Sequence, residues 1–154
     1  MRIGFGNDIH RLAEGRDLML GGIRIPSEKG EIAHSDGDVL IHALIDAILG
    51  AFALGDIGAF FPPSDDKWKD ADSRTLLKEI LKLTKPEIIN IDAVITLEKP
   101  KLRGHIEDIR VSLSELLSLD KSRISVKAKT NEGLGDIGQG LAVKAECILR
   151  VGKD

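Results

Sequence analysis

Asp8-Ile9-His10 places a carboxylate and an imidazole two residues apart. On an extended strand they share a face, and a carboxylate oxygen beside an imidazole nitrogen is part of a zinc ligand set. The same pair also occurs at ordinary solvated strand ends, so alone it decides nothing. His34-Ser35-Asp36-Gly37-Asp38 follows, with His42 and Asp46 beyond it. Positions 34, 38, 42 and 46 are each four apart and would fall near one helix face. His42 is embedded among apolar residues, so its ring nitrogens need partners. Either it is a core histidine satisfied by Asp38 or Asp46, or it ligates a metal while one of those carboxylates holds its far nitrogen. Asp8, His10 and His42 together supply three ligands of mixed nitrogen and oxygen type. That leaves a tetrahedral ion one open position, as catalytic zinc sites do.

Further clusters suit a phosphorylated small molecule. His34-Ser35 stands at a predicted helix start, where free N–H groups and the helix dipole favour an anion; a capping role explains Ser35 equally well. Gly55-Asp56-Ile57-Gly58 reads as the glycine-rich end of that helix, or puts Asp56 where it can accept from a sugar hydroxyl. In KAKTNEGLG (residues 127–135) a cation, the Thr130 hydroxyl, the Glu132 carboxylate and glycines leave a strand together. Such a turn can hold phosphate, with Glu132 reaching a divalent cation, although its spacing is not that of a P-loop and glycine turns after strands are common. Lys99-Pro100-Lys101-Leu102-Arg103-Gly104-His105 is a second basic loop, whose simplest role is a solvated connection. The residues point to metal-assisted chemistry on a phosphorylated small molecule and leave the substrate open.

The elements that must position these groups follow from periodicity. Residues 2–7 read as a strand, and 17–20 with 23–25 as a hairpin around Gly21-Gly22. A helix from about 37 to 52, capped by Ser35 or Asp36, is apolar around most of its circumference and must be buried on more than one side. FFPPSDDKWKDADS is an aperiodic loop, long enough to act as a lid and anchored by Trp68. Asp72 or Ser73 caps a helix carrying Leu76, Leu77, Ile80, Leu81 and Leu83. Residues 89–97 alternate as a strand, Ile106, Ile109, Leu113, Leu116 and Leu117 mark a third helix, and 123–129 and 141–151 are strands around a glycine-rich stretch. Strands alternating with helices around one sheet predict a single domain, residues 1–154, of α/β (α+β) sandwich class.

Composition narrows the function. The chain has 154 residues, a net charge of −3, 3% aromatic residues and no Tyr. Neither bulk attraction to nucleic acid or anionic membrane nor a stacking platform for bases is expected. A single Cys147 excludes an internal disulfide and suits a reducing compartment. The N-terminal residues lack an apolar signal core, and the longest apolar run is broken by His42 and Asp46. A cytoplasmic location is expected.

GFGNDIHRL (4–12), LGGIRIPSEKG (20–30), AHSDGDVLIHALIDAILGAFALGDIGAFFPPSD (33–65), ADSRTLLKE (71–79), KPKLRGH (99–105) and KAKTNEGLG (127–135) run in order along nearly the whole chain. In these segments the sequence resembles the 2-C-methyl-D-erythritol 2,4-cyclodiphosphate synthases of non-mevalonate isoprenoid biosynthesis. The resemblance implies a ferredoxin-like sandwich, with a mixed sheet and helices on one face, assembled as a homotrimer with active sites between subunits. It implies zinc on Asp8, His10 and His42, and a second divalent cation, Mg²⁺ or Mn²⁺, held through phosphates by Glu132. His34 and Thr130 are then the catalytic positions. The substrate would lie against Asp8-Ile9-His10, His34, Ser35, Asp56-Ile57-Gly58 and a mobile loop, Phe61-Pro62-Pro63-Ser64-Asp65. Lys99 to His105 would wall a cytosine pocket, and Lys129, Thr130, Asn131 and Glu132 would meet the phosphates. The implied substrate is 4-diphosphocytidyl-2-C-methyl-D-erythritol 2-phosphate, cyclised with release of CMP.

Two departures stand out. Lys129 replaces a frequent Thr. In Leu134-Gly135-Asp136-Ile137-Gly138-Gln139-Gly140-Leu141 the family's aromatic, Arg and a Glu are absent, so an anion site on the trimer axis is not expected. A metal-dependent phosphohydrolase or a non-catalytic nucleotide-binding trimer would use the same residues differently; the former takes up water, the latter needs no zinc.

Overall fold

The computed structural model describes residues 1–152. The first strand, β1 (Arg2–Glu14), is about twice the expected length. Its second half stays extended because it is paired on both sides: Asp8 faces Ala145 and Arg11 faces Ala142 on one neighbour, while Arg11 also faces Ile32 on the other. The hairpin forms as β2 (Leu18–Leu20) and β3 (Ile23–Ile25), and a short strand β4 (Lys29–Ile32), polar and too brief to carry a period, had no sequence signature. Helix α1 (Val39–Ala51) starts two residues later than expected. Gly37 has φ +80° and cannot begin it, and the cap is Asp38, whose carboxylate accepts from Ile41 N, rather than Ser35 or Asp36.

The expected long loop contains one turn of helix, α2 (Ile57–Phe60), and a 3-10 turn at Asp66–Trp68. Trp68 meets Phe61 edge to face at 4.8 Å and packs on the core, as the anchoring role requires. Then come α3 (Ser73–Thr84), β5 (Ile88–Thr96), α4 (Ile106–Leu117), β6 (Ile124–Lys129), a single turn α5 (Gly135–Gly138) and β7 (Ala142–Val151).

Five strands make one mixed sheet in the order β4-β1-β7-β5-β6, in which only β5 and β6 are parallel. The sandwich class and the mixed sheet are as expected. The topology is not ferredoxin-like: the strands of the main sheet and the long helices run β1-β4-α1-α3-β5-α4-β6-β7 instead of βαββαβ. The reason is the last crossing, in which residues 130–141 carry the chain past β5 so that β7 inserts between β1 and β5.

Alternate residues of every central strand face the helices. Ala93 and Ile95 of β5, and Val143, Ala145, Cys147 and Leu149 of β7, are buried under α1 and its neighbours. Helix α1 is enclosed almost completely, since it also packs on α3. The opposite face of the sheet exposes Ile3, Phe5, Ile9, Ile32 and Ile148, with Phe5 directly across from Ile148. Among the described residues no helix is long and apolar enough to cross a membrane.

Candidate active site

The site begins with two glycines. A Cβ on Gly4 would lie 1.7 Å from the Ala47 carbonyl oxygen, and one on Gly6 2.0 Å from that of Ala43. Without side chains there, α1 rests directly on β1. The strand period then points Asp8 and His10, like Gly6, toward the helix, and one turn of α1 brings His42 to meet them. His10 Nε2 lies 3.0 Å from both His42 Nδ1 and Asp8 Oδ2, and His42 Nδ1 lies 3.1 Å from the same Asp8 oxygen. Among the described residues this is the one group of three that could hold a metal ion. Zinc bonds of about 2.0–2.1 Å in a tetrahedron separate neighbouring ligand atoms by roughly 3.3 Å, close to the observed triangle. The donor set fits such an ion. Burial opposes ionisation of Asp8, but hydrogen bonds from His10 and His42 outweigh it and hold the carboxyl well below the usual range. A deprotonated ligand is therefore ready at neutral pH.

The far nitrogen of His42 has neither of the expected partners. Asp38 is wholly buried and accepts from Gly21 N at 2.9 Å, Gly22 N at 2.6 Å and Ile41 N at 3.0 Å. It ties the β2–β3 turn to the start of α1; burial pushes its pKa up and these N–H groups pull it back. Asp46 accepts from Ile57 N at 2.7 Å and so fixes α2. Instead, His42 Nε2 lies 2.9 Å from Ser73 Oγ and 3.1 Å from Ser35 Oγ, and Ser73 Oγ donates to Asp36. Ser73 and Asp36 were readable in the sequence only as cap candidates. The remaining signal was that Asp72-Ser73 offered two cap residues where one suffices, and Asp72 takes the cap through Arg74 N.

Other predicted residues fall in two places. His34 reaches the loop, its Nε2 3.2 Å from the Asp65 carbonyl oxygen. Asp56 caps α2 through Ala59 N at 3.1 Å, and Gly58 and residues 63–65 are exposed beside it. Thr130 and Glu132 stand together elsewhere, with Thr130 Oγ1 3.5 Å from Glu132 Oε1 and Glu132 exposed at φ 53°. Asn131 N is held by Glu98 at 3.0 Å, an anchor the sequence did not suggest. Lys129 ends β6, and Lys99, Pro100 and Lys101 border a cleft of about 850 Å³ that includes Lys29, Glu98 and Gln139 but not the histidines. Leu102 is buried, and Arg103 to His105 form a 3-10 turn. Register gives the distance between the two places: Asp8 aligns through Ala145 and Ile95 with Ala128. Three strand spacings make that about 14 Å. One chain does not bring Thr130 and Glu132 up to the Asp8-His10-His42 triangle.

The profile of the YgbB family matches residues 1–152. A 2-C-methyl-D-erythritol 2,4-cyclodiphosphate synthase of Synechococcus sp. (strain JA-2-3B'a(2-13)) is 54% identical over 152 residues, covering 97% of each chain. A solved 2C-methyl-D-erythritol-2,4-cyclodiphosphate synthase superposes with a TM-score of 0.91 at 44% identity, over 98% of this chain and 100% of that one. A second, determined in a CDP-bound form, gives 0.90 at 42% identity over 98% and 100%.

Proposed function

Since the chain belongs to the YgbB family, that of the 2-C-methyl-D-erythritol 2,4-cyclodiphosphate synthases of non-mevalonate isoprenoid synthesis, we propose that it cyclises 4-diphosphocytidyl-2-C-methyl-D-erythritol 2-phosphate. An oxygen of the 2-phosphate attacks the β-phosphorus, the bond from that phosphorus to the bridging oxygen breaks, and CMP leaves with no water consumed. The observation that carries this reading is the Asp8-His10-His42 triangle, with ligand atoms 3.0–3.1 Å apart, in a chain whose relatives bear that name.

Attack of one phosphate on another brings like charges together, so alignment and cationic stabilisation must dominate the barrier. Asp8, His10 and His42 would hold zinc, which supplies a Lewis acid and template for the β-phosphate. His34 orients the reacting group, and the Ser35 segment lies beside the phosphates. Asp56, with Ile57 and Gly58, receives the erythritol or ribose hydroxyls. Phe61 to Asp65 close over the substrate; the His34–Asp65 contact supports this by joining loop and site. Lys99 to His105 wall the cytosine; a similar synthase has been determined in a CDP-bound form, which supports a cytidine nucleotide as ligand. Thr130 contacts phosphate with Lys129 and Asn131 adjacent, and Glu132 helps hold Mg²⁺ or Mn²⁺ to neutralise the diphosphate.

The chain acts as a homotrimer, with Thr130 to Glu132 of one subunit facing the zinc ligands of the next. Two observations support this: the roughly 14 Å across the sheet and its open apolar face. Phe5 and Ile148 are each only about half exposed, so covering one is worth about 1 kcal/mol, and a closed ring would cover several at once. Mass spectrometry of the product made from the cytidyl substrate tests the reaction. The cyclic diphosphate plus CMP is expected; inorganic phosphate or an open, hydrated product would make the protein a hydrolase, and no turnover with zinc bound would leave a binding protein.

A further inference from the structure

We infer that Ser73 and Asp36 are positioning residues that decide which nitrogen of His42 faces the metal. The inference rests on reading Asp8, His10 and His42 as a metal site. It follows from counting protons in a buried chain of hydrogen bonds. Asp36 lies in the loop before α1, and its carboxylate accepts from Asp38 N at 3.1 Å, from Ser73 N at 3.1 Å and from Ser73 Oγ. All three contacts are donations to the carboxylate, so the single hydroxyl proton of Ser73 is committed to Asp36. The Ser73 oxygen then presents only lone pairs to His42 Nε2, 2.9 Å away. Two acceptors cannot face each other at that distance, and Nε2 must carry a proton. Nδ1, on the other side of the ring, is the atom beside Asp8 and His10, and with Nε2 held as N–H it is the one whose lone pair a metal would take.

Ser35 could not make this choice. Its oxygen is 3.1 Å from Nε2 and accepts from Gly37 N at 3.2 Å, but among the described residues nothing else claims its own proton, which can point toward the ring or away. Water cannot substitute for Ser73, which has 0% exposure, and His42 is only 6% exposed. Nor is Ser73 occupied with capping, since Asp72 caps α3. The arrangement ties the first residue of α3 to a ligand on α1, and partners of this kind are worth about 10–100-fold in metal affinity.

Long-range ¹⁵N–¹H spectra of the full chain labelled at histidine, recorded metal-free and zinc-loaded, read the proton directly. In the wild type Nε2 of His42 should be protonated in both states. In Ser73→Ala the Ser35 hydroxyl is free to turn and donate to Nε2, so the metal-free protein should lose part of its Nε2 protonation. Zinc affinity, measured by chelator competition, should fall about 10–100-fold. Asp36→Ala frees the Ser73 proton and should move the spectrum the same way, without altering any direct contact of His42. A bare Nε2 in the metal-free wild type overturns the assignment without any variant. So does a loss of zinc affinity in both variants with the His42 spectrum unchanged, which would leave Ser73 a packing role. Wild-type protein that holds the Nε2 proton but takes up no zinc overturns the metal reading beneath it.

Discussion

Asp8, His10 and His42 are set by the core. Two come from a central strand and one from the most enclosed helix, and bare glycine backbone holds strand and helix in contact. Thr130 and Glu132 come from an exposed turn at the sheet's edge, where a long 3.5 Å contact is their only mutual bond. A metal ligand set needs three atoms fixed to a few tenths of an ångström before the ion arrives, and packing supplies that. Groups that meet a substrate and a neighbouring subunit gain their order on assembly, so a loop suffices.

The comparison is broken most directly through His42. His42→Ala should leave the fold intact, because α1 keeps its apolar surfaces, while zinc content falls to background. Turnover should drop on the order of a thousandfold or more, as expected when several kcal/mol of charge stabilisation disappear. Equal metal content in variant and wild type, by atomic absorption, would remove the ligand assignment.

Glu132→Gln and Thr130→Ala probe the other side. Both should retain one zinc per chain and lose about 10–100-fold in turnover, the scale of removing one stabilising group aimed at developing charge. For Glu132→Gln the loss should shrink as Mg²⁺ is raised. Wild-type rates at every Mg²⁺ concentration would take Glu132 out of the reaction.

Mixing the two kinds of damage tests whether the halves belong to different subunits. His42→Ala is dead in the zinc half and Thr130→Ala crippled in the other, so a mixed ring contains one interface where intact halves meet. Unfolded, mixed in equal amounts and refolded with zinc, about three quarters of trimers are mixed and roughly a quarter of all sites should be wild type by this symmetry count. CMP release no greater than the mean of the separately refolded variants, with mixed trimers demonstrated, would place the whole site within one chain.

The same contrast explains what the sequence disclosed. His42 was legible because an imidazole in an apolar helix requires partners, and so was the enclosure of α1; Asp8 and His10 showed only as a pair sharing a strand face, a pattern that solvated strand ends also carry. The length of β1 was not, since residues 8–14 are extended only through pairing with β4 and β7. The strand order was hidden for a related reason: nothing local says that β7 will insert between β1 and β5. Asp36 and Ser73 were misread as caps because small polar residues before a helix look alike whether they bond the backbone or a distant ring. Asp38 shows the converse, a cap that also secures a hairpin turn far away in sequence.

Glu31 gives the finest test, because it sets a carboxylate in the buried region against Glu132 in the open one. Glu31 is 1% exposed, with one oxygen accepting from Met19 N at 2.9 Å and the other without a partner. Burial dominates and pushes its pKa from 4.5 up to about 9, with the Met19 N–H pulling the other way. Between those values the folded protein keeps a proton that the unfolded chain has lost. Unfolding therefore releases a proton, and stability falls as pH rises through the window. The contribution is complete below about 4.5 and gone above about 9. Glu31→Gln keeps an acceptor for Met19 and never ionises. Its stability relative to wild type should improve by about 1–3 kcal/mol between pH 5 and pH 8, in urea titrations at one protein concentration. Parallel pH profiles for wild type and Glu31→Gln would mean that the Glu31 carboxylate is already solvated, and that the buried region is more open than its packing indicates.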